Sequence, residues 1–383
     1  MTLRTFKFTL SFLLLAGLLS ACNSKKAQQT ENTRKRVVGY VAGYRDFDFN
    51  SIAAEKLTHI NYAFANIVDG KVAFDSQPID GKILKSEDVI KMQELKKKNP
   101  DLKILVSVGG WTWSGGFSDA ALTAESRSTL ARSAADFVLE NKLDGIDFDW
   151  EYPNQRGAGN THRVEDIENF TLLMKACREA LDELGKKTNK HYLLTIATGA
   201  DDRYIQNTQM GEVQKYLDFV NIMTYDFYNG HHNATGHHAN LFASDFLNKD
   251  HNSVEHAVKI HLEAGIPKDK LNVGIPFYGR LWKGVEPNEN HGLFSNGRTS
   301  ADIIYYRTIK ENYLNDPKSE VFWDEKAQVP YLYNPTDSVF ISFENARSIA
   351  LKVDYIEKIG LSGVMFWEYS DDYNQELLNA IGL

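Results

Sequence analysis

The segment DGIDFDWE, Asp144–Glu151, puts four carboxylates into eight residues and interleaves them with Ile146, Phe148 and Trp150. The apolar residues predict a buried strand, in which alternate side chains share a face. Asp147, Asp149 and Glu151 then line one face, and Ile146, Phe148 and Trp150 line the other. Asp144 begins the run on the opposite parity from the three acids, which suits holding the strand rather than chemistry. Burying an unpaired carboxylate costs several kcal/mol, and two more beside it add like-charge repulsion. Basic partners aimed inward are scarce: Arg280 is the only basic residue near an inward strand end. Protonation is the cheaper escape, so at least one acid in the row should have a raised pKa. A carboxylic acid kept neutral near pH 7 is what general acid catalysis requires. Glu151, nearest the C-terminal end of the strand, is best placed to meet a ligand, with Asp149 and Asp147 tuning its pKa and sharing a proton.

A row of this kind needs a closed interior to point into. From Val37 onward, strand-like runs alternate with helical patterns. Eight runs start at Val37, Leu57, Lys103, Leu143, Tyr192, Tyr216, Leu271 and Ser362. Several are nearly continuous in apolar residues, the pattern of strands covered on both faces. Helical periodicity falls between them at Ala121–Lys142, Val164–Leu184, Val254–Ala264 and Glu344–Ile359. Eight β/α units predict an α/β fold, a (β/α)8 TIM barrel spanning residues 37–383. A doubly wound open sheet fits less well, because no phosphate-binding glycine fingerprint follows the first strand. About eighty residues separate Arg280 from the last strand, far more than one connection needs. Residues 281–338, rich in Tyr, Phe, Asn and Pro, predict a small α+β insertion between strands seven and eight on the C-terminal face.

Composition narrows the function classes. The formal net charge of −8 gives no support to a nucleic-acid partner. Aromatic residues make up 12% of the 383 positions, which suits ligands with flat apolar faces such as sugar rings. The N-terminus reads as a targeting segment. Arg4 and Lys7 precede the apolar run Phe8–Leu19, followed by Leu19-Ser20-Ala21-Cys22. This is a secretory signal over residues 1–21 whose end resembles a bacterial lipobox, with Cys22 as the lipidated residue. The polar stretch 22–36 reads as a tether, which places the protein in the bacterial cell envelope on a lipid anchor. Cys177, the other cysteine, is expected to be a buried thiol without a disulfide. Four histidines follow strand six in NGHHNATGHHANLF, from Asn229. Their spacing fits no zinc pattern, since adjacent pairs point apart, so the loop is expected to shape a ligand site or face solvent.

Retaining glycoside hydrolysis by two carboxyls needs them about 5–5.5 Å apart on opposite sides of the anomeric carbon. Residues i and i+2 of one strand lie roughly 6.6 Å apart on a single side. Either a nucleophile comes from another strand or the substrate supplies its own.

Five stretches in order carry a resemblance: SVGGW (Ser107–Trp111), DGIDFDWE (Asp144–Glu151), MTYD (Met223–Asp226), FYGR (Phe277–Arg280) and MFWEYSDD from Met365. Together they resemble glycoside hydrolase family 18, the chitinases and their relatives, from about Val37 to the C-terminus. The resemblance implies substrate-assisted catalysis, in which the sugar's 2-acetamido oxygen attacks the anomeric carbon. It makes Glu151 the general acid and base. Asp149 would orient the acetamido N–H, Asp147 would share a proton with Asp149, and Tyr225 would hydrogen-bond the acetamido carbonyl. Asp226 and Met223 would contact the sugar, and Trp367 would form the floor beneath it. Tyr40 and Ser107 would support the acid row from below. Gly109 and Gly110 would let the ligand approach the backbone. Trp111, Trp113, Tyr278 and Arg280 would be further ligand contacts. The implied substrate is chitin or chito-oligosaccharide, and no metal or organic cofactor is implied. Two rivals stand beside this reading: an endo-β-N-acetylglucosaminidase acting on N-glycan cores, and an inert chitin-binding lectin.

Overall fold

The computed structural model describes residues 35–74, 84–244, 252–299 and 301–383. The expected signal segment, Cys22 and the part of the expected tether before residue 35 lie outside the described residues.

Fourteen strands run in chain order among the described residues. They are β1 (Arg36–Ala42), β2 (His59–Val68), β3 (Lys71–Ala73), β4 (Lys103–Gly109), β5 (Gly145–Asp149), β6 (Leu193–Thr198) and β7 (Phe219–Ile222). Then follow β8 (Leu271–Pro276), β9 (Tyr278–Lys283), β10 (Asp302–Tyr305), β11 (Glu320–Asp324), β12 (Val329–Asn334), β13 (Val339–Ser342) and β14 (Gly363–Trp367). The parallel strands pair in the order β1-β2-β4-β5-β6-β7-β8-β14, and β14 returns to β1, which closes the barrel. Strand β3 is an antiparallel appendage of β2.

The helices that cover the barrel begin and end where their sequences dictate. Thr123 caps Ala124–Glu140 through a reciprocal capping box with Ser126. Asn345 and Ser348 do the same for Ala346–Ile359, which ends at Gly360 with φ 81°, the left-handed turn that glycine adopts without strain. The outward face of β5 packs against this layer: Phe117 stacks on Trp150 with ring centroids 5.2 Å apart, and Phe170 meets Trp150 edge-on at 5.7 Å. Asp144 anchors the strand's base, accepting from the Ile104 N–H (2.8 Å) and from Lys96 Nζ (2.6 Å). Cys177 is fully buried in the helix Asp166–Thr188, and burial pushes its thiol up to about 12, which keeps it protonated and inert.

Two boundaries differ from the sequence expectation. The run Leu271–Arg280 is not one barrel strand. The Phe277 N–H makes a bond to the Trp367 carbonyl (2.7 Å), and the chain then leaves the barrel; Tyr278 pairs antiparallel with Tyr305. A five-stranded antiparallel sheet, β10-β9-β13-β12-β11, therefore begins at Tyr278 and ends at Ser342, wider than the expected 281–338. The first barrel strand begins at Arg36 rather than Val37.

An ion pair with both side chains at 0% exposure joins Glu344, two residues past β13, to Lys352 in the helix Ala346–Ile359. Lys352 Nζ also donates to the Ala239 carbonyl (2.5 Å), and Ser348 Oγ donates to Glu344 Oε2 (2.5 Å). Removing one partner of such a pair leaves a buried unpaired charge. Lys352→Met is therefore expected to lower unfolding stability by about 3–5 kcal/mol in urea titrations at pH 7, and Glu344→Leu/Lys352→Met to regain most of it. Equal losses in the single and double variants would count against the pairing.

Candidate active site

The acids of β5 climb the barrel interior from full burial to the mouth. Asp147 lies at 0% exposure and receives three hydroxyls from three different strands of the barrel. Tyr40 on β1 (2.7 Å) and Ser107 on β4 (2.8 Å) donate to Oδ2, and Thr195 on β6 (2.5 Å) donates to Oδ1. Burial raises its pKa, and those hydrogen bonds oppose the rise. Asp149 has no such support: its Oδ1 is buried without a hydrogen-bond partner. Burial, and then the like charges of Glu151 and Asp147, push its pKa well above the carboxylate range. Glu151, just past the strand end, is raised to about 7. Burial is the main cause, Asp226 adds to it, and a hydrogen bond from Tyr152 opposes it. The row thus holds one hydroxyl-solvated acid at its base and two proton carriers above it.

Ser114 fixes the backbone at this point. Its Oγ accepts the Glu151 N–H (2.8 Å), and its own proton lies between the carbonyls of Gly110 (2.9 Å) and Asp149 (3.1 Å). Thr195 and Ser114 were both missing from the sequence-derived set. Thr195 was within reach, since it lies directly opposite Asp147 in the β5–β6 register. Ser114 sits in a short irregular turn with no periodicity to flag it.

Above the row opens a cleft of about 880 Å³. Trp367, the last residue of β14, lies on its floor, stacked on Phe64 (5.4 Å, 19° between planes) and beside Tyr40 (5.7 Å). Met223, Tyr225 and Asp226 follow β7 and line one side. The Tyr225 hydroxyl has only the Met365 sulfur at 3.9 Å, and burial together with the nearby acids keeps its proton on, so it is a donor free for a ligand. Asp226, at φ 62°, accepts from Arg280 Nη2 (2.7 Å) and Nε (2.8 Å). Burial would raise its pKa, but His238 and Arg280 outweigh that and hold it below the ordinary value. Asp226 is thus an ionised, paired carboxylate facing two acids that favour the neutral form.

Tyr278 and Arg280 reach the cleft from the inserted sheet, not from a barrel strand end. In register they face Tyr305 and Ile303 of β10, and all four line the cleft, so one face of this sheet is its wall. Trp111 (48% exposed) and Ile303 (58% exposed) stand at its rim, with Trp113 nearby. Two of the expected site residues lie off the cleft. Ser107 is spent on Asp147 beneath the cleft. Gly110 does not line the cleft; at φ 75° it packs against Phe64, where an added Cβ would come within 2.6 Å of the ring. Gly109, at φ 103°, does line it. The four histidines part ways. His231 and His232 line the cleft, His237 pairs with Asp324 at 3.0 Å, and His238 is buried beside Asp226.

A proton-bearing carboxyl at the head of an acid row, under a cleft walled by aromatic rings, is equipment for protonating a leaving group on a ligand with apolar ring faces. The chain belongs to glycosyl hydrolases family 18, whose family model matches residues 36–372. Chitinase A1 of Niallia circulans is 35% identical over 436 residues, covering 99% of this chain and 62% of that protein; the chain spans less than two thirds of that relative's length. Among solved structures, a family 18 N-acetylglucosaminidase from Paenibacillus barengoltzii superposes with a TM-score of 0.83 at 41% identity, covering 91% of this chain and 99% of that one. Chitinase ChiA74 from Bacillus thuringiensis matches with a TM-score of 0.83 at 33% identity, covering 91% and 69%.

The raised pKa of Glu151 links the site to stability. Between its ordinary value of 4.5 and about 7, the folded protein holds a proton that the unfolded chain has released, so stability falls as pH rises through this window. Glu151→Gln removes that dependence. By calorimetry the variant is expected to melt several degrees above the parent at pH 8 and level with it at pH 4; parallel melting curves across this range would show that the carboxyl is not held neutral.

Proposed function

We propose that this chain is a chitinase-like glycosidase that hydrolyses β-1,4 linkages of N-acetylglucosamine polymers or oligomers with retention, by substrate-assisted catalysis. Glu151 protonates the glycosidic oxygen as the bond to the anomeric carbon breaks. The substrate's acetamido oxygen bonds to that carbon and forms a cyclic oxazolinium ion. Glu151, now a carboxylate, takes a proton from water, and the water oxygen opens the ring on the face that the leaving group vacated. Asp149 orients the acetamido N–H, and by passing its proton to Asp147 it stabilises the charge on the intermediate. Tyr225 donates to the acetamido oxygen, and Trp367 carries the apolar face of the sugar.

The observation that carries this reading is the contrast between the carboxylates of the cleft. Glu151 and Asp149 favour their neutral forms, while Asp226 is tied to Arg280 as an ion. Asp226 is thereby poorly equipped as an enzyme nucleophile, which leaves the substrate's own amide for that role. An inert lectin has no use for a row of acids that is costly to bury.

A second reading concerns the product. The family 18 N-acetylglucosaminidase from P. barengoltzii shares 41% identity with this chain, which supports release of single N-acetylglucosamine units as the alternative to cleavage within a chain. No comparable observation favours N-glycan cores.

The test is chitohexaose hydrolysis by residues 35–383, followed by mass spectrometry. Cleavage is expected, with a kcat/KM that declines as pH rises past about 7, and Glu151→Gln is expected to bind with similar affinity but turn over about 10²–10⁴-fold more slowly. A ladder of dimers and trimers means internal cleavage, and monomer alone means the exo reading. Binding without cleavage by the parent protein would leave the lectin.

The site of action is the bacterial envelope, with Cys22 lipidated after removal of residues 1–21. The order of basic, apolar and small residues up to Cys22 supports this. Expressed full length in a bacterium, the protein is expected in the membrane fraction with a diacylglycerol mass increment, and Cys22→Ser is expected to lose both. A cleaved, unlipidated product would reduce the segment to a plain signal peptide.

A further inference from the structure

His238 is buried at 0% exposure, and neither ring nitrogen has a hydrogen-bond partner. An unpartnered imidazole in a dry interior is costly, because each polar atom forfeits water without a replacement. Its Nδ1 stands 3.9 Å from Asp226 Oδ1, so a carboxylate displacement of about 1 Å brings the two to hydrogen-bond distance. Asp226 has its guanidinium partner, Arg280, on the same oxygen.

The protein invests in keeping the ring there. The Phe227 N–H donates to the His238 carbonyl (3.1 Å), joining the residue after Asp226 to His238 across the loop. The His238 N–H donates to Ser342 Oγ (2.9 Å) at the end of β13. The next carbonyl, Ala239, is held by Lys352 from the buried Glu344–Lys352 pair. The Tyr278 ring covers the imidazole at 5.3 Å. The charged and titratable groups around His238 are thus Asp226, Arg280, Tyr278 and Glu344, with Lys352 neutralising Glu344.

We propose that His238 is a positioning residue for Asp226, a second buried hydrogen-bond donor that holds the carboxylate in register with the cleft and is itself locked by the Glu344–Lys352 pair. This rests on the hydrolase reading, in which Asp226 contacts the sugar. Arg280 grips Asp226 from the inserted sheet, and His238 stands at its side from the loop after β7. With both anchors, a ligand can pull on Asp226 without drawing it out of place. A misplacement of about 1 Å in such a group can cost of the order of 10²-fold in rate.

The test compares His238→Gln, which keeps a side-chain N–H donor, with His238→Leu, which keeps the bulk. On chitohexaose, His238→Leu is expected to lose about tenfold or more in kcat with a smaller change in KM, and His238→Gln to recover most of it. Two variants equally impaired, or both near the parent, would overturn the proposal. Folding is removed from the question by a measurement on the free protein: the imidazole nitrogen resonances of His238, recorded by NMR in the parent and in Asp226→Asn. A clear shift of the Nδ1 resonance, and a changed titration of the ring, are expected; unchanged resonances overturn the contact whatever the kinetics show. A parent protein that cleaves no chito-oligosaccharide defeats the hydrolase reading, and the resonances still decide whether His238 addresses Asp226.

Discussion

The site depends on how the barrel tolerates three carboxylates on one face of one strand. A single buried carboxylate without partners costs several kcal/mol, and three adjacent ones repel each other as well. The fold answers with hydroxyls at the base of the row and protons above it. Tyr40, Ser107 and Thr195 surround Asp147, each from a different strand, so the lowest acid is solvated by the protein itself. No such shell reaches Asp149, whose Oδ1 stays bare. Burial and then repulsion from its row neighbours therefore fall on Asp149, while burial, with a smaller push from Asp226, lets Glu151 at the cleft keep its proton near neutral pH. The arrangement that makes the strand awkward to bury is the one that makes Glu151 an acid.

Asp226 shows the same residue chemistry driven the other way. It faces the row across the cleft and is partly buried, yet His238 and Arg280 hold it ionised. Two carboxyls of like intrinsic acidity are thus separated into a proton donor and a fixed charge by their neighbours alone. The neighbours differ in origin: the acid row belongs to the barrel, and the guanidinium belongs to the inserted sheet.

Much of this was legible in residue order. The alternation in Asp144–Glu151 fixed which acids share a face, and the parity of Asp144 correctly assigned it to anchoring rather than chemistry. The eight barrel strands could be read because they are long apolar runs with helical stretches between them. What was lost is what has no period. Ser114 acts through a turn, and His238 acts through a loop whose histidines looked alike in sequence but end up in three environments. The FYGR stretch misled because Phe277 and Tyr278 continue an apolar run without interruption. Only the switch of hydrogen-bond partner, from Trp367 in the barrel to Tyr305 in the second sheet, reveals that the strand has ended. From its motif Gly110 is expected to be an approach point for a ligand; in the fold it is the space that Phe64 needs to stack on Trp367.

That switch changes how the insertion is understood. A sheet that began after the site would be an added wall, which could be trimmed at a cost in affinity alone. Here β9 begins two residues after the last residue of β8, and its first and third residues, Tyr278 and Arg280, already face the cleft. Tyr278 covers the edge of Tyr225 and the ring of His238, and Arg280 supplies the charge for Asp226. Their cross-strand partners Tyr305 and Ile303 extend the same face outward to the rim. The insertion is therefore part of the electrostatics of the reaction centre as well as the depth of the cleft, and a barrel without it would lack Arg280, one of the two groups that keep Asp226 an ion.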